Sequence, residues 1–404
     1  MSDLRFDPLD PVTQADPYPF YAGLRREAPV LRVAPYGFHV VSRHEDVVQV
    51  LRRPDLFSSA AMNGLAGRAA TAVGAPLPAF SAETLIGADP PAHTRLRKIV
   101  NRGFTPGRIA AWEPRIRQVA AALVDGFAPR GRGDFMEAVA VPLPIQIISE
   151  LLGVPPERRA DFKRWSNAVV LVATGNPSAE DQRVFGPAML ELFRFLSDEV
   201  AARRGAATDD LIGSLVRQHE DGALTPHEVM NFCLTLLVAG NETTTNLLGN
   251  ALLALARHPD ALRRVQADPR LVPGLVEETL RFDAPVQMTW RIATADVELG
   301  ACKVPQGAVV APLLGSANRD AARFPEPDVF DPARDASGHL AFGHGTHFCL
   351  GAGLARLEAR CVLEALLPRL GGLSLVQEDV PRHASLFVRG PIALELEWEP
   401  RAAR

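Results

Sequence analysis

The longest helix signal in the chain starts at Thr225 and limits the possible folds more than any other feature. Thr225-Pro226-His227-Glu228 provides an N-cap, a proline at the first helical position and a glutamate in the capping-box position. The apolar pattern continues to about Arg257, which predicts a helix of roughly 32 residues, about 48 Å long. A helix of this length could cross the whole molecule, so the other elements are expected to pack around it.

The middle of this helix is polar where a buried helix should be apolar. The polar segment reads Ala239-Gly240-Asn241-Glu242-Thr243-Thr244-Thr245. Glycine costs about 1 kcal/mol relative to alanine inside a helix, and a buried acid with three hydroxyl groups needs hydrogen-bond partners. The segment therefore predicts a locally widened helix beside a polar pocket. The alternative is a solvent-facing stripe on a helix that its threonines bend.

One cysteine lies alone in a glycine-rich loop just before another predicted helix, residues 353–360. The loop reads Phe342-Gly343-His344-Gly345-Thr346-His347-Phe348-Cys349-Leu350-Gly351. Its glycines let backbone amides approach the sulfur, and the positive end of the helix favours a thiolate. Zinc and iron–sulfur sites need several protein ligands, so a single thiolate indicates haem iron with one axial ligand. The alternative is a structural cysteine buried in a turn.

The loop resembles the haem-binding loop of the cytochrome P-450 family, Phe-x-x-Gly-x-x-x-Cys-x-Gly, and fills every fixed position. The resemblance implies haem b with Cys349 as its axial ligand and with Phe342 and Gly351 in the binding loop. The polar helix segment is similar to the family's oxygen-binding segment. It implies that Ala239 and Gly240 contact the haem, and that Thr243 and Glu242 deliver protons to oxygen.

Further matches extend the resemblance along the chain. Glu278-Thr279-Leu280-Arg281 matches the family's Glu-x-x-Arg, which with Arg334 implies a buried structural charge network. Four residues match the positions that contact the haem propionates: His93, Arg97, Arg291 and His347. His93 and Arg97 are one helical turn apart, which allows both to face one group.

Substrate contacts are predicted mainly on the long helix and near the end of the chain. Thr235, Val238, Ala239 and Thr243 share one helix face. The other expected lining residues are Gln287, Met288, Phe387 and Val388, with residues 54–88 and 169–187 as the lid. These groups predict a moderately large, mainly apolar substrate. The alternative is that they are core residues.

The composition excludes several functional classes. A formal net charge of −4, with arginine spread over the chain, gives no reason to expect nucleic-acid binding. No N-terminal signal or membrane anchor is visible, and Cys233, Cys302, Cys349 and Cys361 follow no paired spacing. We therefore expect a cytoplasmic monomer.

Since no flavin or iron–sulfur domain is fused to the chain, electrons are expected from a ferredoxin and its NAD(P)H-dependent reductase. The ferredoxin is expected to dock over the Cys349 face, where Arg356, Arg360 and the nearby Arg97 side provide positive charge.

The pattern of elements predicts a mainly α chain with a small β-rich portion, which fits the P-450 fold with its long helix crossing the haem. Residues 1–404 are interpreted as one domain, with a β-rich lobe from about 29–53, 286–315 and 373–398. The helical body takes about 91–283 and 351–369. The implied activity is a haem-thiolate monooxygenase that inserts one atom of O2 into a C–H bond or alkene. The alternatives are a peroxygenase that uses hydrogen peroxide and a non-enzymatic haem-thiolate sensor or carrier.

Overall fold

The computed structural model describes residues 6–63, 84–173, 179–206, 208 and 210–402, without the side chains of residues 167–173, 179–182 and 238. The chain forms two compact units. The first comprises Met1–Ser58, Ile109–Leu143 and Thr243–Arg404, and the second comprises Ser59–Arg108 and Pro144–Glu242. The single-domain interpretation of residues 1–404 stays a prediction.

Helices dominate the described chain, which confirms the expected mainly α class. In chain order they are α1 (Pro11–Ala15), α2 (Tyr18–Glu27), α3 (His44–Arg52), α4 (Ala92–Val100), α5 (Pro106–Ala111), α6 (Glu113–Phe127), α7 (Pro142–Leu152), α8 (Arg159–Ala173), α9 (Ala179–Ala202), α10 (Leu211–Glu220), α11 (Pro226–Arg257), α12 (Pro259–Ala267), α13 (Val272–Phe282), α14 (Leu314–Ala317) and α15 (Ala352–Leu366). None of the described helices combines the length and hydrophobicity needed to span a bilayer.

α11 is the long helix that the sequence predicts, with the same bounds. A capping box closes its N-terminus: the Thr225 N–H donates to Oε2 of Glu228 (2.7 Å), and the Glu228 N–H donates to Oγ1 of Thr225 (3.2 Å). Its hydrogen-bonding pattern is α-helical throughout, so the predicted widening near Gly240 is wrong. The Asn241 side chain donates from Nδ2 to Oγ of Ser166 (2.7 Å), while its buried Oδ1 has no hydrogen-bond partner among the described residues.

All described strands belong to the first unit and are short. They are β1 (Val30–Arg32), β2 (His39–Val41), β3 (Phe57–Ser58), β4 (Arg132–Asp134), β5 (Arg291–Ala293), β6 (Val297–Leu299), β7 (Cys302–Val304), β8 (Val309–Pro312), β9 (Leu370–Leu375) and β10 (Glu395–Pro400). They form a five-stranded sheet in the order β1-β2-β8-β5-β3, a three-stranded sheet β4-β10-β9 and the pair β6-β7.

The five-stranded sheet and α3 share a core that supports the cysteine loop. β1 and β2 form an antiparallel hairpin, and β2 runs parallel to β8. Val47, Val50 and Leu51 of α3 join Phe57 in one buried cluster. A Cβ on Gly345 would lie 2.8 Å from the Leu51 carbonyl oxygen. The sheet core thus fixes the backbone against which the loop rests.

The three-stranded sheet joins distant parts of the chain. β10 pairs antiparallel with both β4 and β9. Trp398 donates from Nε1 to the Ala128 carbonyl (2.8 Å), and its ring centroid lies 4.4 Å from that of Phe127. The sequence does not predict β4, because Arg132-Gly133-Asp134 has no apolar alternation.

Two stretches of the chain are divided into separate elements. Residues 286–299 form two short strands, β5 and β6, preceded by isolated bridges at Val286 and Met288. The helical stretch from Pro106 to Phe127 breaks after Ala111 and restarts at Glu113, where Pro114 occupies the first turn. Proline lacks the N–H that would continue a helix, so it begins a new one.

Candidate haem site

The cysteine loop is held by backbone hydrogen bonds and two left-handed glycines. The Cys349 N–H donates to the Phe342 carbonyl (2.8 Å). Gly343 and Gly345 both have φ of 69°, a region that side chains with a Cβ rarely adopt. Gly351 has φ of −85° and no close neighbour for a Cβ, so it does not need the conformational freedom that the sequence predicts for it.

Cys349 lies just before α15 in a setting that favours a thiolate. Gly351 is the N-cap, and the first turn contains no acidic residue, so the positive end of the helix dipole is not offset there. The sulfur-bearing residue is partly exposed. By contrast, burial raises the pKa of Cys233 to about 12 and that of Cys361 to about 11, which keeps both as thiols. Cys349 thus differs from these two buried cysteines.

A side-chain cluster that the sequence does not predict braces the loop. Arg356 donates from Nε and Nη2 to the two carboxylate oxygens of Glu277 (2.7 and 2.8 Å), and its guanidinium lies 4.5 Å from the Phe342 ring. His339 Nε2 lies 3.1 Å from Oε2 of Glu277. Burial opposes ionisation, yet Arg356 and His339 together lower the pKa of Glu277 to about 2. The one sequence signal that points to this cluster is the position of Arg356 on the predicted helix after Cys349.

One face of α11 is accessible in the polar segment. Thr235, Ala239 and Thr243, spaced four residues apart, are partly or fully exposed, and Glu242 is partly exposed. Thr244 and Thr245 are buried on the opposite side, where Thr245 donates to the Ala140 carbonyl (3.1 Å). Thr244 and Thr245 are therefore structural residues, whereas Thr243, the threonine predicted for the oxygen site, is accessible.

The predicted propionate residues lie on three elements. His93 and Arg97 share a face of α4 in the second unit, where burial and the charge of Arg97 lower the pKa of His93. In the first unit, Arg291 on β5 is buried and donates to the Trp290 carbonyl (2.7 Å). His347 ends the turn Gly345–His347, two residues before the cysteine. A neutral, buried His93 beside Arg97 is suited to donate a hydrogen bond to a carboxylate.

The residues predicted for the structural network contact one another. Arg281 donates from Nε and Nη2 to the two oxygens of Glu278 (2.7 and 2.8 Å), and both side chains are fully buried. Arg334 reaches Oε1 of Glu278 at 3.3 Å. Arg281 also donates to the carbonyls of Asn318, Pro327 and Val329. The network thus holds the irregular chain after α14 on the end of α13.

The residues predicted for the substrate pocket are placed very differently. Thr235 and Phe387 keep accessible surface. Gln287 is fully buried and donates from Nε2 to the Tyr18 hydroxyl (3.1 Å), so it is a structural residue and the substrate assignment is corrected. Met288 is buried in an apolar core cluster, and Val388 is also buried. The side chain of Val238 and residues 64–83 and 174–178 of the predicted lid lie outside the described residues.

A buried carboxyl on α15 predicts an unusual pH dependence of stability. Glu358 is 3% exposed, and its Oε2 has no hydrogen-bond partner among the described residues. Burial raises its pKa to about 8 from an ordinary value of 4.5. The folded state therefore keeps a proton that the unfolded state releases, so this group's contribution to stability falls between about pH 4.5 and pH 8.

Replacing Glu358 with Gln should remove this loss. The variant is expected to match the native chain near pH 4.5 and to be more stable at pH 7 by on the order of 3 kcal/mol, at about 1.36 kcal/mol per pKa unit. Thermal unfolding at pH 5, 6.5 and 8 measures the trend. Glu364→Gln, on the same helix but paired with Arg117, serves as the control and should show no such gain. A stability difference independent of pH would contradict the prediction.

Comparison with known proteins agrees with these observations. The sequence model described as Cytochrome P-450 matches residues 195–393. The cytochrome P-450 monooxygenase PikC of Streptomyces venezuelae is 42% identical over 397 residues, which cover 95% of this chain and 91% of that protein. This chain belongs to the cytochrome P-450 family.

Two further P-450 comparisons cover the chain almost completely. The vitamin D(3) 25-hydroxylase of Pseudonocardia autotrophica is 40% identical over 396 residues, which cover 96% of this chain and 95% of that protein. The solved structure of cytochrome P-450 CYP109Q5 from Chondromyces apiculatus is 43% identical with a TM-score of 0.88, and covers 98% of this chain and 99% of that one. The P-450 fold and the class of haem-iron monooxygenase follow from these similarities.

The residues of this P-450 fit a haem. The partly exposed Cys349 lies before a helix end without acid, which suits an anionic ligand to iron. Arg291, a cation buried on β5, suits a carboxylate partner. Thr243 lies on the accessible face of α11. The chemistry of these three positions fits a haem, because they combine an anionic ligand for iron, a cation for a carboxylate and an accessible hydroxyl.

Proposed function

We propose that this P-450 binds haem b through Cys349 and inserts one atom of O2 into a C–H bond or alkene of a mainly apolar organic molecule. The observation that carries the proposal is the partly exposed Cys349 at the acid-free N-terminus of α15, in a loop braced by Arg356 and Glu277. When bound, the haem supplies the iron at which O2 is reduced and activated.

Each predicted residue has a distinct task in this proposal. The Cys349 sulfur is the anionic ligand, and the α15 dipole stabilises its charge. His93, Arg97, Arg291 and His347 orient the haem by hydrogen bonds to its propionates. The Glu242 carboxylate takes up protons from solvent, and the Thr243 hydroxyl donates a hydrogen bond to O2. Phe342, Gly351, Ala239 and Gly240 provide the close packing against the ring.

The accessible pocket residues support a mainly apolar substrate. Thr235, Ala239 and Phe387 expose small or apolar groups, and none of them carries a charge. The relative from Pseudonocardia autotrophica is named a vitamin D(3) hydroxylase, and a relative from Saccharopolyspora erythraea is named a 6-deoxyerythronolide B hydroxylase. We infer a substrate that is held mainly by apolar contact, with few charged groups.

Electrons are proposed to come from a ferredoxin and its NAD(P)H-dependent reductase. The sequence places Arg356 and Arg360 on the docking face, but Arg356 pairs with Glu277 and Arg360 with Glu113 (2.9 Å). These carboxylates partly neutralise both cations, so the arginines attract an acidic partner less than the sequence predicts.

The proposed monooxygenase reaction is tested by product formation with 18O2. Incorporation of one 18O atom per product with ferredoxin, reductase and NAD(P)H supports the proposal. Turnover with hydrogen peroxide alone favours a peroxygenase.

Thr243→Ala is expected to uncouple the reaction. The variant loses the accessible hydroxyl of Thr243, so the amount of product formed per NAD(P)H should fall at least about tenfold while peroxide release rises. Thr244→Ala is the matched control, because Thr244 is the buried neighbour on the other face. The measurement is product, peroxide and NAD(P)H in one reaction. An unchanged product yield in Thr243→Ala would exclude the proton-relay role.

A further inference from the structure

A cavity of about 750 Å³ lies in the first unit, away from the residues assigned to the haem and substrate. Its walls come from α1, α2, the ends of α11 and α13, and the segment near Pro381. Among the described residues that line it, none belongs to the predicted haem or substrate sets. The volume lies within the usual range of small-molecule sites, roughly 300–1,000 Å³. The cavity is therefore large enough for a ligand of its own.

A buried carboxylate forms one end of the cavity. Asp283 accepts hydrogen bonds from the Tyr18 hydroxyl (2.7 Å), Nε of Arg389 (2.9 Å) and Nη2 of Arg382 (3.2 Å). Burial alone would raise its pKa, but Arg389 and Arg382 lower it to about 2. Asp283 is thus ionised and contributes a single negative charge to the buried cluster.

Three guanidinium groups surround this one buried carboxylate. The side chains of Arg319, Arg382 and Arg389 are only 10%, 11% and 6% exposed. Arg319 is stacked between the rings of Tyr18 and Phe282, each centroid 3.7 Å from its guanidinium carbon. Its partner Asp328 is mostly exposed to solvent, where its charge is screened. The buried cluster therefore carries excess positive charge, because the other carboxylates that line the cavity, Asp16, Asp328 and Asp379, are exposed to solvent and screened.

Arg382 is the member whose hydrogen-bonding capacity is least used. Arg389 uses all three of its side-chain nitrogens, since it also donates to the carbonyls of Gln14 (3.1 Å) and Ala15 (3.0 Å). Arg382 makes one side-chain hydrogen bond, the 3.2 Å contact to Asp283, and its buried Nη1 has no partner among the described residues. Burial lowers its pKa. An unsatisfied buried donor on a charged group is costly, so a further acceptor next to Arg382 would stabilise this arrangement.

We propose that this cavity is a binding site for a small organic anion, whose carboxylate or phosphate group is held by Arg382. A guanidinium can donate two parallel hydrogen bonds to either group. Arg382 can turn toward such a group by giving up one long hydrogen bond, the 3.2 Å contact to Asp283. The apolar walls, including Val380, Pro381 and Pro19, would cover the rest of the ligand. The site is separate from the proposed haem and substrate contacts, so the proposal does not depend on them.

The test uses the haem-loaded protein saturated with an azole that ligates the iron, which blocks binding at the haem. Calorimetric titration with benzoate, phenyl phosphate and the neutral benzyl alcohol separates carboxylate, phosphate and uncharged probes. We expect one site for benzoate or phenyl phosphate and at least about tenfold weaker binding of benzyl alcohol. Equal affinity for benzyl alcohol, or no binding of either anion at millimolar concentration, would overturn the proposal.

Variants locate the site. Arg382→Gln should weaken anion binding by roughly 10- to 100-fold, because it removes a charged donor. Arg270→Gln removes an equal charge from an exposed pair with Asp268 and should leave binding unchanged. Should Arg382→Gln fail to fold, a crystal of the native protein with 4-iodobenzoate decides the question by anomalous scattering. An iodobenzoate carboxylate on Arg382 supports the site, and binding only elsewhere overturns it.

Discussion

A Cys349→Ser variant is expected to lose the thiolate-type absorption of the reduced carbon-monoxide complex and all monooxygenase activity. Serine keeps the size of the side chain, but its hydroxyl does not ionise near neutral pH and is a much weaker electron donor than a thiolate. The α15 dipole alone cannot ionise it. The measurement is the reduced carbon-monoxide difference spectrum, together with haem content per chain.

The matched control is Cys361→Ser, on the same helix. Burial raises the pKa of Cys361 to about 11, so it is a structural thiol, and its replacement should leave the spectrum intact. Since Cys349 is only partly buried, the haem-free Cys349→Ser chain should unfold within a few degrees of the haem-free native chain. A haem-free but folded variant agrees with the assignment. A retained thiolate-type spectrum in Cys349→Ser contradicts it.

Local signals in the sequence predicted the elements that carry most of the candidate site. The capping box at Thr225 and the apolar period locate α11 with its observed bounds, because both are set by residues within one or two helical turns. The loop around Cys349 is equally local. Such features depend on neighbouring residues, so a single sequence is sufficient to find them.

Features that depend on distant partners were missed or misassigned. Gln287 is predicted to line the substrate pocket, yet its side-chain amide donates a hydrogen bond to Tyr18, 269 positions earlier. Glu277 lies beside the predicted Glu278, but its partner Arg356 is 79 positions away. The expected widening of α11 was wrong, and two of its polar side chains, Asn241 and Thr245, instead donate to Ser166 and Ala140. Which side chain meets which across the fold is a tertiary property that no local pattern encodes.

The second large effect is expected at Arg281. Arg281→Gln should abolish stable folding or haem incorporation, because it leaves the fully buried Glu278 carboxylate without its bidentate partner. Breaking a buried pair on one side costs about 3–5 kcal/mol, a large part of the stability of a typical domain. The variant also loses the donors to Asn318 and Pro327, whose carbonyls become unsatisfied, whereas Val329 keeps its hydrogen bond from Arg334. Soluble yield, haem content per chain and the thermal unfolding midpoint measure the effect.

Two further variants separate the buried pair from arginine loss in general. Arg264→Gln removes an arginine whose pair with Asp331 is half-exposed, and it should change stability by no more than about 1 kcal/mol. Arg334→Gln should lie between the two, because Arg334 contacts Glu278 through a longer 3.3 Å bond. A gradient from Arg281 through Arg334 to Arg264 is the signature of a desolvated carboxylate that depends on its donors. Arg281→Gln with normal haem content and an unchanged unfolding midpoint would show that Glu278 does not need this partner.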